Sequence, residues 1–124
     1  MICFIHSLPV KNLKASARIY DAAMDALGYR RVCEFPDAIG YGSEEGKDKL
    51  LICQYKEVKS AGKGFHLAFQ AHSREEVNQF HQNATKQGAT DNGPPGLRKY
   101  YGPNYYAAFI IDPDGHRIEA VFKS

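Results

Sequence analysis

The stretch Tyr105-Tyr-Ala-Ala-Phe-Ile-Ile-Asp-Pro-Asp-Gly-His-Arg-Ile-Glu-Ala-Val-Phe-Lys-Ser124 reads as a β-hairpin. Two apolar runs, Tyr105–Ile111 and Arg117–Phe122, flank Asp112-Pro113-Asp114-Gly115. Aromatic and β-branched residues suit a pleated surface, whereas Pro presets φ and Gly accepts a positive φ, which is turn chemistry. Period-two alternation in the second run puts Ile118, Ala120 and Phe122 on one face and Arg117, Glu119 and Val121 on the other. An acid in mid-strand, opposite a clean apolar stripe, needs a partner, a metal ion or water.

Working backwards, Asn92-Gly-Pro-Pro-Gly96 and Gly102-Pro103 break regular structure, so 92–104 is expected to be a long loop carrying Arg98, Lys99, Tyr100 and Tyr101. A short strand is expected near Ala89–Asp91. Before it, Ser73 with Glu76 forms a capping box for a helix through Val77, Phe80 and Ala84, stopped at Gly88. The strand ahead, Gly64–Ala71, has Phe65, Leu67 and Phe69 on one face and His66, Ala68 and Gln70 on the other. The first half repeats this plan. Ile2–Leu8 reads as a strand that Pro9 either ends or places near a sheet edge, Asn12 caps a helix over Leu13–Leu27, and Gly28 stops it. Strands are then expected at Tyr29–Phe35, Ile39–Tyr41 and Leu50–Tyr55, with a charged loop Glu44-Glu-Gly-Lys-Asp-Lys49 before the last.

From His6 to Gly28 is 22 residues, as it is from His66 to Gly88, and a shift of 60 lays Ala17 on Val77 and Tyr20 on Phe80. The fold class is therefore α+β: one domain, 1–124, of two βαβββ modules, 1–57 and 64–124, whose curved mixed sheet encloses a cavity.

The chain has 124 residues, 44% of them apolar, with eight tyrosines and seven phenylalanines, enough for one compact interior. A net charge of +2 with scattered signs speaks against nucleic-acid or membrane-surface binding. No apolar run approaches a membrane span, and Met1-Ile-Cys-Phe-Ile is too short for a signal h-region. Cys3, Cys33 and Cys53 form no CxxC and are odd in number, which fits a reducing cytoplasm.

Three residues converge as candidates for the cavity face: His6, His66 and Glu119, one on each of three strands. Two imidazoles and a carboxylate make a divalent-metal set with positions left for water or substrate, able to act as a Lewis acid. Taken singly, a strand histidine is more often a satisfied core residue, and an acid near a strand end is often simply solvated. His116 reads as a turn-flanking residue, and His72 and His81 as exposed. The tyrosines at 100, 101, 105 and 106 are more often packing groups, yet beside Arg98 and Asn104 they could line a pocket mouth. Tyr106 stands with Glu119 as a candidate catalytic group, and Arg98, Tyr101 and Asn104 as candidate substrate contacts.

These residues resemble the vicinal oxygen chelate superfamily, which includes glyoxalase I, fosfomycin-resistance enzymes, bleomycin-resistance proteins and ring-cleaving dioxygenases. The resemblance rests on the paired modules, Tyr20 with Leu27-Gly28-Tyr29, Phe65-His66-Leu67-Ala68-Phe69, and Asp112-Pro113-Asp114-Gly115 followed by Ile118-Glu119. Gly102-Pro103-Asn104-Tyr105-Tyr106-Ala107-Ala108-Phe109 further resembles small single-domain bacterial glyoxalase-like proteins. The resemblance implies metal positions at His6, His66 and Glu119, with Ni, Mn, Fe or Zn as the ion, and a homodimer closing the cavity. Two departures follow. The family's histidine usually stands one residue further ahead of the helix-opening Asp/Asn-Leu than His6 stands from Asn12-Leu13, and one residue on a strand turns a side chain over unless a bulge near Pro9 restores it. Glyoxalase I also carries an acid on its fourth strand, where Leu50-Leu-Ile-Cys-Gln-Tyr55 offers only Gln54.

Two functions are compatible with this reading. One is a metal-dependent enzyme acting on a small oxygen-chelating, anionic substrate, with 92–104 as a lid and Arg98 as its anion contact. The other is a metal-free small-molecule binding protein of the bleomycin-resistance kind.

Overall fold

The computed structural model describes residues 4–43, 48–60, 62 and 64–123. The expected start of the first strand at Ile2, Cys3, and most of the charged loop lie outside the described residues. Ten elements follow one another as β1 (Phe4–Val10), α1 (Leu13–Ala26), β2 (Arg30–Phe35), β3 (Ala38–Gly42), β4 (Asp48–Gln54), β5 (Leu67–Gln70), α2 (Arg74–Lys86), β6 (Thr90–Leu97), β7 (Tyr105–Ile111) and β8 (Arg117–Lys123).

The repeat is present in the topology. The strands order β1-β4-β3-β2 in one sheet and β5-β8-β7-β6 in the other, the same plan written twice. In each, the strand before the helix pairs parallel with the last strand of its module, and the remaining pairs are antiparallel. The modules make two four-stranded sheets rather than one continuous curved sheet, and among the described residues no barrel closes. Both sheets turn one face, here called inner, toward the helices. There Leu8, Val10, Leu50, Ile52, Phe69, Ile110 and Ile118 join Tyr20, Met24, Val77 and Phe80 in one buried cluster. Fully burying one such side chain is worth about 1.5–3 kcal/mol, so the two modules are held together chiefly by this shared core.

Local signals act as expected at the helices. Asn12 Oδ1 accepts the Ala15 amide and Ser73 Oγ the Glu76 amide, each satisfying a donor the helix leaves orphaned. Glu76 reaches back to the His72 amide (2.8 Å), one residue before the cap. Gly28 and Gly88 end the helices at φ 85° and 115°, a region open to glycine at little cost. His72 is exposed beside Glu76, whereas His81 is mostly covered and pairs with Asp91 at 2.9 Å.

Of the two readings of Pro9 the structure keeps the edge: β1 runs through it to Val10, and on the unpaired side of an edge strand the donor that proline lacks is not called for. One expectation fails for an identifiable reason. Residues 90–97 are strand β6, not loop: the Gly/Pro run is accommodated by register shifts between Asp91 and Gly93 and between Gly93 and Gly96, where β6 pairs with β7 as an edge strand.

The Asp112–Gly115 turn clasps the two modules. Asp112, 4% exposed, accepts the Asp114 and His116 amides on Oδ1 and the Tyr20 hydroxyl of α1 on Oδ2 (2.7 Å). His116 is buried rather than merely flanking the turn, and its Nε2–H donates to the Pro9 carbonyl at 2.6 Å. Asp114 accepts the Lys11 amide. Burial pushes the Asp112 carboxyl above its ordinary value, although Tyr20 and the two amides pull the other way.

Candidate functional site

Alternation along β8 puts Ile118 and Ala120 in the core and leaves Arg117, Glu119 and Val121 on the outer face, away from the helices. The ladders then specify who surrounds Glu119. Phe109 of β7 is directly opposite on one side and Ala68 of β5 on the other. Toward one end, Ala107 faces Val121 and Tyr105 faces Lys123; toward the other, Ile111 faces Arg117. Ala107, Phe109 and Val121, with Tyr105 packed on them, form a second and smaller apolar cluster on this face.

Glu119 is 6% exposed, and the Tyr105 hydroxyl donates to its Oε2. Ala107 lies between Tyr105 and Phe109 along β7 and has no bulk to block this contact. Burial, and then the neighbouring Glu119, raise the Tyr105 phenol above its ordinary value, so it stays a donor across the physiological range. His66 precedes β5, and its ring lies edge-on to Phe109 at 5.4 Å between centroids. Because β8 separates β5 from β7, that ring reaches across β8 at the level of Arg117 and Glu119. His66 and Glu119 are thus brought to one face, as expected.

His6 is not. Its partner in the ladder is Leu50, and two residues on Leu8 pairs with Ile52, all in unbroken parallel register from His6 to Val10. Leu8, Val10, Leu50 and Ile52 are core residues, so His6 belongs to the inner face, where its ring meets the edge of core residue Phe69 at 6.5 Å. No bulge at Pro9 restores it. The reason lies in the repeat. The helix cores superpose at a shift of 60, but the core positions of the two leading strands, Leu8 with Phe69 and Val10 with Ala71, stand 61 apart. One residue is half a pleat, so histidines that match by sequence spacing face opposite ways. Among the described residues no three His, Cys, Asp or Glu side chains gather where they could hold an ion. The donors one chain brings to this face, His66 and Glu119, do not by themselves make the three-ligand set.

Tyr106 is likewise turned away. It packs against the core, donates to Asn78 Oδ1 of α2 at 2.6 Å, and has Arg74 over its ring. Its neighbour Tyr105 is the tyrosine at Glu119, a distinction that the alternation of β7 makes and composition cannot. Arg98 lies over the Phe109 ring, 5.3 Å from its centroid, with Nη2 donating to the Pro94 carbonyl at 2.6 Å. That contact ties it to β6 instead of leaving it on a free lid, and the irregular segment shrinks to 98–104. Within it, the Tyr100 and Tyr101 rings lie 4.4 Å apart at 50° and those of Tyr101 and Tyr105 5.1 Å apart at 52°, tilted against one another, with the Lys123 ammonium 5.6 Å from the Tyr105 ring. Tyr101, Asn104, Tyr105 and Lys123 line a pocket of ≈ 250 Å³. Tyr101 and Asn104 therefore adjoin the site through Tyr105. Sequence reasoning named Tyr105 only among the pocket-mouth tyrosines and did not single out Arg117, which shares the Glu119 face. The signal for both was the hairpin alternation that singled out Glu119.

Residues 4–120 match the family described as the Glyoxalase/Bleomycin resistance protein/Dioxygenase superfamily. A protein from Bacillus subtilis (strain 168), described as "Uncharacterized protein YqjT", is 27% identical over 128 residues, covering 94% of this chain and 95% of its own. A crystal structure of a glyoxalase/bleomycin resistance protein from Albidiferax ferrireducens T118 superposes with a TM-score of 0.80 at 26% identity over 96% of each chain. A glyoxalase-related enzyme from Fulvimarina pelagi shares the fold with a TM-score of 0.74 at 22% identity, over 99% of this chain and 88% of that one.

Proposed function

Because the chain belongs to the glyoxalase/bleomycin resistance protein/dioxygenase superfamily, we propose that it binds a small molecule on the outer face of its second module, and that it does so without a resident metal ion. The observation that supports this reading is the face occupied by His6, which leaves one chain with two candidate ligands where the metal set needs three. In place of an ion, the Tyr105 phenol satisfies the buried Glu119 carboxylate. The remaining features suit a ligand. An apolar floor of Ala107, Phe109 and Val121 lies beside a ledge of tilted tyrosine rings with a small pocket, and a few polar groups converge there. The two faces turned away from the helices would be covered by a second copy of the chain, and a homodimer is part of the proposal.

A second reading, a metal-dependent enzyme acting on a small oxygen-chelating substrate, is favoured by His66 and Glu119 sharing one face. In it, a third ligand would come from a second chain. One experiment separates the two. Metal-free protein is melted with and without Ni²⁺, Mn²⁺, Fe²⁺ or Zn²⁺, since an ion that binds only the native state raises the midpoint by mass action. The first reading expects no shift. A shift that disappears in both His66→Ala and Glu119→Gln overturns it in favour of the second.

A further inference from the structure

We infer that Arg117 is the anion-recognising residue of the outer face, which makes the ligand of this protein a small molecule bearing a carboxylate, phosphate or similar oxyanion. The inference rests on the reading of that face as the ligand site. It goes beyond that reading in naming the group recognised and the residue that recognises it.

Arg117 shares its strand face with Glu119 and Val121. The parallel register Leu67 to Ile118, continued one residue back, sets His66 beside it. Its side chain is half-buried, and its Nε is buried with no hydrogen-bond partner. None of the ion pairs among the described residues involves it. The nearest acid on its own strand face, Glu119 two residues on, is taken by the Tyr105 hydroxyl. A guanidinium therefore stands in a partly dehydrated place with its counter-charge engaged elsewhere. Leaving a buried donor unmade costs about 1–3 kcal/mol, and more where charge is involved. An oxyanion removes that cost. The planar fork of arginine, which includes Nε–H, matches the two oxygens of a carboxylate or phosphate.

Two other cations stand at this face: Lys123, whose ammonium lies 5.6 Å from the Tyr105 ring at the far end of β8, and Arg98, which is spent on structure. Its Nη2 donates to the Pro94 carbonyl, and it covers the Phe109 ring. A Cβ added at Gly93 or Gly96 would come within 3.2 or 3.1 Å of its guanidinium nitrogens. Arg98 thus fills the space over the β6 glycines and holds Phe109 against His66. The geometry assigns it a positioning part and leaves anion contact to Arg117.

The test uses oxalate and inorganic phosphate as probes, at up to about 1 mM, which corresponds to roughly 4 kcal/mol of binding. Titration calorimetry is run on wild type, Arg117→Gln, Arg117→Lys and Arg98→Ala, and amide shifts of Ala68, Glu119 and Val121 are followed by NMR. The two probes distinguish a planar carboxylate from a tetrahedral phosphate as the preferred oxyanion. Wild type should bind at least one of them and shift those three amides. Arg117→Gln should weaken binding about 10-fold or more, the size of one charge-assisted hydrogen bond. Arg117→Lys, which keeps charge and loses the fork, should fall between, and shows that any loss is not simple unfolding. Arg98→Ala should keep most of the affinity. If the three amides shift but Arg117→Gln binds like wild type, the assignment to Arg117 is wrong while the site stands. If a probe binds and these amides stay still, the face itself is not the ligand site and both readings fall. No binding of either probe to wild type also overturns the inference.

Discussion

The Tyr105 hydroxyl and the Glu119 carboxylate meet across the β7–β8 ladder although neither is the other's register partner, Tyr105 facing Lys123 and Glu119 facing Phe109. The contact runs past Ala107, whose methyl leaves room for it. Among the described residues it joins the acid buried on the outer face to the tyrosines of 100–105.

Tyr105→Phe removes the donor and keeps the ring. The nearly buried carboxylate of Glu119 is then left to find water, and stability should drop by about 1–2 kcal/mol, the cost of an unmade bond to a charged group discounted for partial exposure. Urea denaturation measures it. A variant as stable as wild type would show that Glu119 does not depend on the phenol.

Asp112 carries a pH dependence whose sign is determined by burial. Its folded value is raised above the ordinary 3.8, so the native state holds this proton more tightly than the unfolded chain. The contribution is fully present below the ordinary value and is lost as pH rises through the raised one. Asp112→Asn keeps an acceptor for the Asp114 and His116 amides but has no proton to lose. Measured by denaturant titration from about pH 4 to about pH 7, the variant should gain on wild type as pH rises. A constant difference would mean that Asp112 is not titrating there.

Tyr20→Phe leaves Asp112 Oδ2 without its buried donor and cuts a link between α1 and the turn of the other module. A loss of about 1–3 kcal/mol is expected, read as a lower thermal midpoint. An unchanged midpoint would show that the shared core alone holds the modules together.

Gly93 sits at φ 151°, and a Cβ there would approach Phe109 Cδ2 to 2.9 Å and Arg98 Nη2 to 3.2 Å. Gly93→Ala should therefore cost about 1–3 kcal/mol through overpacking and push Phe109 toward His66. Calorimetry gives the first quantity, and the His66 ring proton shifts give the second. Silence in both would mean that β6 moves away freely.

His6→Ala should leave ligand affinity as it is and cost no more than about 1 kcal/mol, the scale of one aromatic edge contact. Isothermal titration with whichever oxyanion probe binds checks the first part. A loss of affinity would place His6 at the site after all.

Much of the fold was legible because it depends on period and punctuation. Alternation in 105–123, the caps at Asn12 and Ser73 and the stops at Gly28 and Gly88 are local in origin, and the structure keeps them. The placement of Glu119 on a face opposite Ile118 and Ala120 follows from the same local rule. What the sequence could not settle were questions of parity and of neighbours. Whether His6 or the residue beside it faces outward depends on a 61-residue offset between strands set inside a 60-residue offset between helices, and the unbroken β1–β4 register, which lays His6 on the side of Leu8 and Val10, decides it. Whether Pro9 or the Gly/Pro run of 92–96 ends a strand depends on that strand lying at an edge, which pairing alone determines. Alternation lays Tyr105 and Arg117 on the face of Glu119, but that the Tyr105 hydroxyl reaches Glu119 and that Arg98 is bonded to Pro94 while the Arg117 Nε has no partner is decided only across the sheet. Side-chain direction changes sign with every residue of a strand, and a partner distant in sequence is supplied only when the strands have been laid side by side.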